Sequence, residues 1–274
     1  MPKLLSEPHL CQVMKIIVVS QKDIAAMNIK KILLNEFDFK ETDEEFDNNK
    51  IFAREEYILV TVKKDSIFNN HLDEKFDPEI YIFASRHSSK SELPCLTVHV
   101  TGNYSDNKFG GNQKELCLAP SKVICGILKN LEENKIDGFE VCLEVSHHGP
   151  TDLKSPLIFV EVGSTKEQWN NLGACRTVAK TIMEFKEKGE SAIAFGGPHY
   201  APKFTKLVLQ GWAIGHICPK YQFEHFDEKM FDQMIKKTTP EPRTILIDKK
   251  GTKGKMKNLL KELSKKHDLD VKLV

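Results

Sequence analysis

The chain has 274 residues, enough to bury the core of one large α/β domain, and its 40% hydrophobic and 29% charged residues are typical of a globular protein. Its net charge of +1 gives no whole-molecule field that would attract a polyanion, so any contact with nucleic acid must come from local basic clusters. No apolar run is long enough for a transmembrane helix, the N-terminus lacks the pattern of a secretory signal, and the seven cysteines form no C-x-x-C pair. We therefore expect a cytoplasmic protein with reduced thiols and no membrane contact.

The first half of the chain alternates strand and helix patterns. A buried strand is predicted at residues 14–20, and apolar residues at helical spacing predict a helix at 23–34. Because the strand begins at Met14, residues 1–13 are predicted to be an N-terminal extension. The acidic stretch 41–49 is predicted to be a solvated loop. Further predictions are strands at 57–62, 79–84 and 96–100 and a helix at 121–134.

The second half continues this alternation. Period-two patterning predicts a strand at 139–145, and an apolar run predicts another at 157–162. Residues 176–188 place apolar side chains on one helical face and stop at Gly189, which predicts a helix with a glycine cap. The remaining predictions are strands at 192–195 and 244–247, and a basic loop at 249–255 leading into a helix that ends at 263. The sequence therefore predicts an α/β fold in which residues 14–274 form a single catalytic domain, with a mixed, largely parallel sheet, helices on both faces and room for a small inserted subdomain.

Ten histidines are present, and six of them lie in predicted strands or in the loops that follow strands. These six are His87, His99, His147, His148, His199 and His216. Loops beyond the carboxyl ends of strands converge on one crevice in α/β sheets, so these side chains are expected to meet. One such histidine is usually structural, but six beside Glu144 and Glu161 favour metal binding or acid-base catalysis. His99 is the weakest member, because it is also compatible with a position on an edge strand facing water.

Glu161 interrupts the apolar run at 157–162. A carboxylate there is costly unless it is paired with a cation, a histidine or a metal. A functional role is therefore favoured over the alternative, an edge-strand residue whose side chain lies in water.

Two loops have the composition of substrate-binding segments. Gly196 and Gly197 precede a segment with two prolines, His199 and Tyr200, and glycines allow another group to approach the backbone closely. Residues 249–255 contain four lysines and two glycines before a helix, which is typical of a phosphate-contacting loop. A tight turn and a solvated basic loop are the respective alternatives.

Several familiar catalytic motifs are absent. The chain has no G-x-S-x-G elbow, no H-E-x-x-H helix and no G-x-G-x-x-G fingerprint, and the 249–255 loop lacks the spacing of a Walker loop. Ser-His-His-Gly at 146–149 resembles one element of metallo-β-lactamase-like hydrolases, but their H-x-H-x-D-H cluster is missing. That fold is therefore a distant alternative.

Five segments combine the most distinctive residues of the chain. They are FASRH at 83–87, TVHVTGN at 97–103, SHHGPT at 146–151, EVGST at 161–165 and GGPHYAP at 196–202. Together and in this order they resemble the archaeal and plant type of D-aminoacyl-tRNA deacylase. The resemblance implies a zinc-dependent, monomeric, cytoplasmic hydrolase that acts on tRNA charged with a D-amino acid. It also implies an α/β core similar to that of peptidyl-tRNA hydrolase and phosphorylase-like proteins.

Hydrolysis of an aminoacyl ester requires an activated water, a donor for the oxyanion and a proton for the departing ribose oxygen. We expect His147 or His148, together with Glu161, to activate water directly or through zinc. His199 and the amides of the Gly196-Gly197 pair are expected to stabilise the oxyanion or to position the ester.

The expected binding roles involve a further set of residues. Arg86 and His87 are expected to contact the terminal ribose or phosphate, and Lys203, Lys253 and Lys255 to hold the tRNA backbone. The candidate zinc ligands are His147, His148, Glu161, His199 and His216. Two alternatives remain: a metal-dependent peptidase or amidohydrolase that acts on a small amide, and a non-catalytic RNA-binding protein with structural histidines.

Overall fold

The computed structural model describes residues 14–274, so the predicted extension at 1–13 lies outside the described part. The described residues form sixteen β-strands and seven α-helices. The strands are β1 (Lys15–Ser20), β2 (Lys40–Phe46), β3 (Asn49–Arg54), β4 (Tyr57–Val62), β5 (Ile80–Arg86), β6 (Cys95–His99), β7 (Gly102–Asn103), β8 (Glu115–Leu116), β9 (Ala119–Pro120), β10 (Glu140–Leu143), β11 (Leu157–Gly163), β12 (Glu190–Phe195), β13 (Trp212–Cys218), β14 (Thr238–Thr239), β15 (Thr244–Ile247) and β16 (Asp270–Leu273). The helices are α1 (Ile24–Glu36), α2 (Ser121–Asn134), α3 (Lys166–Trp169), α4 (Leu172–Glu184), α5 (Pro202–Leu209), α6 (Glu228–Lys236) and α7 (Gly254–Lys266).

The larger sheet has eight strands in the order β10-β6-β11-β5-β1-β4-β3-β2. Parallel pairs join β10 to β6, β11 to β5, β5 to β1 and β1 to β4. β6 runs antiparallel to β11, and β3 runs antiparallel to both of its neighbours. The reversal between β6 and β11 places the end of β6 against the middle of β11, and this junction carries the candidate site.

The centre of the larger sheet is mostly apolar. Every residue of β4 and β11 is buried, as is typical of parallel strands that are covered on both faces. Helices α1, α2 and α4 pack on one another and on strands of this sheet. Helix α1 begins where it does because the Asp23 carboxylate accepts a hydrogen bond from the amide of Ala26 at 3.0 Å.

The smaller sheet has four parallel strands in the order β13-β12-β15-β16. Alternate residues of β12 face opposite sides, which explains how helices cover both of its faces. Ala192 and Ala194 join the main core that contains α2, whereas Ile193 and Phe195 join a second core built with α6 and α7.

The two sheets meet at the end of β10. Helix α2 packs on strands of both sheets. Beyond β10, Glu144 forms a β-bridge with Tyr200, and the Ser146 amide donates to the carbonyl of Ile217 at 3.2 Å. These contacts bring the segment that follows β12, including His199, to the end of β10.

Most elements match the sequence patterns, and two predictions are wrong. The predicted strands at 57–62 and 244–247 and the predicted helix at 121–134 coincide with β4, β15 and α2. The helix predicted at 176–188 is instead Leu172–Glu184, because Asn171 caps its start and Phe185 has an extended backbone. The loop predicted at 41–49 instead contains the exposed edge strand β2, whose charged side chains protect the edge from pairing with another chain. Within residues 14–274, no helix has both the length and the apolar composition needed to cross a bilayer.

Candidate active site

A cavity of about 660 Å³ opens over one face of the larger sheet. His87, His147, His148 and His199 line it, together with Arg86 and Glu161. His99 and Glu144 lie directly behind this wall, within ion-pair distance of its side chains. The structure thus brings together five of the six histidines that the sequence singles out, with both carboxylates.

The register of β5, β6 and β11 places the polar side chains on one face. Glu161 pairs with Ser85 on β5 and with Thr97 on β6, and Phe159 pairs with His99. Since side chains alternate along a strand, residues 97 and 99 and residues 159 and 161 share this face. An edge position for His99 is wrong, because β6 lies between β10 and β11 and the side chain is fully buried.

Glu161 is a buried carboxylate with four polar neighbours. The Ser85 hydroxyl donates to it at 2.6 Å and the Thr97 hydroxyl at 3.3 Å. Ring nitrogens of His87 and His99 lie 3.4 and 3.5 Å from Oε2, the oxygen that also accepts from Thr97, whereas Ser85 donates to Oε1. Burial would raise the pKa of Glu161, but the two histidines hold it well below its usual range, so the carboxylate is ionised. The edge-strand alternative is wrong here too, since β11 is an interior strand.

Glu144 is the second buried carboxylate, with a fully inaccessible side chain. Nε2 of His199 donates to it at 2.9 Å, and Nδ1 of His87 lies 3.1 Å from its other oxygen. Nε2 of His147 lies 3.6 Å away. Burial would raise the pKa of Glu144, but His199 and the charge on His87 lower it.

His87 lies between the two carboxylates and supplies a positive charge. Burial alone would lower its pKa, but Glu161 and Glu144 raise it to about 10. Its Nε2 atom lies 2.7 Å from the hydroxyl of Tyr200. At neutral pH the site therefore holds a protonated imidazole between two ionised carboxylates.

His99, His147 and His148 form a second group, which we call the imidazole triad. Each has its Nδ1 atom against a backbone carbonyl, which only accepts hydrogen bonds, so Nδ1 carries a proton in all three. The Nε2 lone pair is free on His147 and His148, whereas Nε2 of His99 faces the ionised Glu161 carboxylate and carries a second proton. The distances are 3.2 Å from His99 to Val100, 2.8 Å from His147 to Val145 and 2.7 Å from His148 to Gly149. A backbone carbonyl on the second nitrogen is the usual support of a metal-binding histidine.

Protonation of the triad is set by burial and by neighbouring charges. Burial, followed by the charge on His99, lowers the pKa of His147 well below its usual range and that of His148 to about 4. Burial acts on His99 in the same direction, but Glu161 outweighs it and raises that pKa. A metal ion at this position would therefore compete with a proton on His99.

The three residues of the imidazole triad lie close enough together to bind one metal ion. One ligand atom from each of its three residues lies within 4.8 Å of the others. The buried Nε2 atom of His99 has no polar partner among the described residues other than the Glu161 carboxylate, 3.5 Å away. The ligand atoms of two overlapping groups also lie within 4.8 Å of one another. One group is Glu144, His147 and His199, and the other is His87, Glu144 and Glu161.

The turn that carries His147 and His148 is tightly constrained. His148 has a left-handed backbone with φ of 45°, which is uncommon for a residue with a side chain and recurs at functional sites. A side chain at Gly149 would meet the backbone of Gly111 at 2.2 Å, so this position requires glycine. The close contact between the two loops fixes the direction of the His148 ring.

The inclusion of His216 among the candidate metal ligands is wrong. Its side chain is fully buried, and both ring nitrogens are engaged, one with the Ser146 hydroxyl and one with the carbonyl of Cys117, each at 3.0 Å. Burial lowers its pKa to about 3. His216 is a neutral structural residue that supports Ser146 at the start of the histidine turn.

We expect the neutral state of His216 to make stability depend on pH. Between its ordinary pKa of 6.5 and a pH of about 3, His216 is protonated in the unfolded chain but neutral in the folded chain. The contribution of His216 to the free energy of unfolding is therefore complete above pH 6.5. It is lost as the pH falls, by up to about 1.4 kcal/mol per pH unit. Denaturant titrations of chelator-treated protein between pH 4.5 and 7.5 should give a shallower slope for His216→Gln than for the unsubstituted chain. Parallel slopes would contradict this account.

Several predicted substrate-binding residues lie outside the cavity. The Gly196 amide donates to the carbonyl of Cys218 at 2.9 Å, so it is not free to bind an oxyanion. Gly196 instead packs on Asp248, where a side chain would lie 2.9 Å away. Lys203 donates to Asp248 and to the carbonyl of Val274, which ties down the C-terminus. Lys253 and Lys255 are exposed at the start of α7 and do not line the cavity.

Some site residues were not predicted from the sequence. Ser85 directly follows the strand predicted at 79–84 and lies at the end of β5, where it pairs with Glu161. Asp23 lines the cavity and accepts from the Arg86 amide at 2.7 Å, which joins the start of α1 to the end of β5. Phe109 and Tyr221 also line the cavity, and no local pattern distinguishes them from other loop aromatics.

Comparisons with known proteins identify a family. A family model described as D-aminoacyl-tRNA deacylase matches residues 74–272. A Pyrococcus furiosus protein named D-aminoacyl-tRNA deacylase is 38% identical over 268 residues, covering 94% of this chain and 98% of its own. Proteins of the same name from Pyrococcus horikoshii and Methanosarcina mazei are 39% and 37% identical, covering 94% and 93% of this chain and 98% and 90% of their own.

A solved structure confirms the fold. A crystal structure titled as the conserved protein of unknown function AF0625 matches with a TM-score of 0.88 and 34% identity, covering 94% of each chain. With this family model over residues 74–272 and relatives of the same name at 37–39% identity over nearly their full length, the chain belongs to the D-aminoacyl-tRNA deacylase family.

Proposed function

We propose that the protein is a monomeric, cytoplasmic hydrolase that cleaves the ester between a D-amino acid and the 3′ end of tRNA and releases both. Family membership supports the reaction class and the substrate. The observation that carries the chemistry is the convergence of two buried, ionised carboxylates, a protonated His87 and imidazole lone pairs on one cavity. The peptidase and RNA-binding alternatives have no comparable support.

In this proposal His199 moves the protons. Ionised Glu144 only accepts hydrogen bonds, so Nε2 of His199 carries the proton that it donates and Nδ1 keeps a lone pair. His199 lines the cavity, and its Nδ1 atom lies 3.3 Å from the Tyr221 hydroxyl at the solvent side. It can therefore accept a proton from water and return it to the departing ribose oxygen, while Glu144 stabilises the imidazolium.

His87 supplies electrostatic stabilisation. It lines the cavity, and its pKa is raised to about 10, so its positive charge persists at neutral pH. Fixed positive charge beside the carbonyl oxygen stabilises the negative charge that develops there during attack by water. The two carboxylates hold the ring in place, so little reorganisation is needed during the reaction.

Zinc is proposed to bind the imidazole triad. Three imidazoles are a ligand set of catalytic zinc sites, and the carbonyls on Nδ1 would hold the rings in place. His147 and His148 offer free Nε2 lone pairs, and His99 would offer a third once zinc displaces its Nε2 proton. Bound zinc would act as a Lewis acid that makes water more acidic and polarises the ester carbonyl. Glu161 lies 3.5 Å from Nε2 of His99 and 3.4 Å from Nδ1 of His87, and these pairings offset the cost of burying a carboxylate on β11.

Basic residues near the cavity are proposed to contact the tRNA backbone. The Arg86 guanidinium lies 3.5 Å from Asp65 and 5.4 Å from the Trp169 ring, so it is held rigidly at the cavity wall. The lysine loop at 249–255 packs against Gly196, three residues before His199. Lys253 and Lys255 therefore lie on a loop that adjoins the segment leading into the cavity, where they can contact phosphates.

The test is hydrolysis of one tRNA charged with either the D or the L form of the same amino acid. We expect rapid release of the D-amino acid with intact tRNA and no release above background for the L form. Treatment with a chelator should abolish the activity, and added zinc should restore it. Equal cleavage of both forms, or of neither, would refute the proposed deacylase function. Cleavage of the D form alone that persists in the chelator would refute the role of zinc.

A further inference from the structure

Phe109 is the most exposed large apolar side chain of the described residues, with 67% of its surface in water. It also lines the cavity that holds the histidines and carboxylates. A single exposed apolar side chain is ordinary on a protein surface, but an aromatic ring at the wall of such a cavity offers a ligand a flat apolar face. Leu172, by comparison, is 53% exposed but does not line this cavity.

The backbone around Phe109 is firmly held. The Asn103 side-chain amide donates to the carbonyls of Gly110 and Asn112 at 2.8 and 3.0 Å. The Gly149 amide donates to the carbonyl of Phe109 itself at 3.0 Å. The backbone of Phe109 is therefore anchored directly to the turn that carries His148, so its ring projects from a fixed point close to that turn.

Tyr221 stands beside the other end of the histidine cluster. It is 47% exposed, lines the same cavity, and contacts His199 through its hydroxyl. The reacting histidines thus lie between an exposed phenyl ring and an exposed phenol. This is the arrangement of an aromatic platform that receives a planar ligand next to a reaction centre.

We propose that Phe109 is the stacking platform for the 3′-terminal adenine of the tRNA acceptor end. This inference rests on the proposed function, because the ester is carried by the ribose of that same nucleotide. The adenine must then lie one sugar ring from the carbonyl, and Phe109 is the exposed aromatic side chain joined to the His148 turn. Proteins recognise unpaired bases of RNA by stacking them on aromatic side chains. The terminal adenosine is common to all tRNAs, so this contact suits an enzyme that accepts many of them.

The test uses two acceptor-stem minihelices that carry the same D-amino acid. One ends in adenosine and the other in an abasic ribose. For the adenosine form, Phe109→Ala should raise KM about 5-fold to 150-fold, the effect of losing one base-aromatic stack, with kcat nearly unchanged. For the abasic form the variant and the unsubstituted protein should have the same KM. Phe109→Trp should retain the low KM, and Leu172→Ala is the matched control for removing an exposed apolar side chain.

Binding of the uncharged minihelices gives a second readout that needs no catalysis. The adenosine form should bind Phe109→Ala more weakly by the same factor, and the abasic form should not discriminate. An equal loss on both substrates would overturn the inference, because Phe109 would then contact the amino acid or support the fold. No loss on either substrate would overturn it as well. If the unsubstituted protein cleaves neither minihelix but binds both, the proposed function itself has failed.

Discussion

Replacing Glu144 with glutamine is expected to lower the rate of deacylation about 10³-fold to 10⁴-fold, the cost of misorienting a catalytic histidine in the Ser-His-Asp triads. The glutamine amide can donate to His199, which favours the tautomer whose lone pair faces away from the cavity. Affinity for charged tRNA should change little, because the Glu144 side chain is fully buried behind the cavity wall. Single-turnover rates and tRNA binding, measured on the same preparation, separate the two effects.

Glu140→Gln is the matched control for this substitution, since it makes the same chemical change at the exposed first residue of β10, four residues before Glu144. Glu161 still faces His87 in the Glu144 variant, so the buried cation keeps a partner and the fold should persist. Thermal melting checks this directly. A Glu144→Gln protein that is folded, binds tRNA and retains more than about a tenth of the rate would remove His199 and Glu144 from the proton-transfer role.

Replacing His148 with alanine is expected to remove bound zinc and to lower turnover at least about 100-fold, because even outer-shell partners of metal ligands alter affinity or activity about 10-fold to 100-fold. His148 has its Nδ1 atom fixed by the carbonyl of Gly149, and its pKa is lowered to about 4, so its Nε2 lone pair is available at neutral pH. Elemental analysis of dialysed protein gives zinc per chain, and the D-aminoacyl-tRNA assay gives turnover.

His225→Ala is the control for removing a histidine, because His225 is exposed and makes its only ion pair with Glu224 among the described residues. This variant should keep both its zinc and its activity. A His148→Ala protein that keeps one zinc per chain but loses turnover would show that His148 acts on the substrate or on a proton rather than on the metal. A variant with full turnover would exclude His148 from the site.

The candidate site was largely predictable where single residues break a strong pattern. Glu161 in an apolar run and the adjacent imidazoles of His147 and His148 identified it directly. His99 was undervalued because its burial depends on the antiparallel pairing of β6 with β11, which no local pattern reveals. His216 was included among the candidate metal ligands for the same reason. Its ring is engaged by the carbonyl of Cys117, which is 99 residues away in the sequence.

The fold was predicted best where apolar periodicity is regular. The central strand β4 and helix α2 follow their patterns to the residue. Errors arose where hydrogen bonding overrides composition, as in β2, whose acidic residues are solvated but still pair with β3. Gly196 shows the same limit, because its amide donates to Cys218 and its Cβ-free position packs on Asp248 rather than on a ligand. The glycines of the loop at 196–197 predicted a close approach to the backbone, but not which group makes it.

The central claim is that one cavity holds the ester of a D-aminoacyl-tRNA against the histidine and carboxylate cluster. A crystal structure of the zinc-loaded protein with a non-hydrolysable amide analogue of D-aminoacyl-adenosine tests it most directly. We predict that the analogue lies in the cavity, with its carbonyl beside His199 and the imidazole triad, and that zinc lies on the triad. An analogue bound outside this cavity, or an L analogue that binds in the same pose and equally well, would contradict the claim.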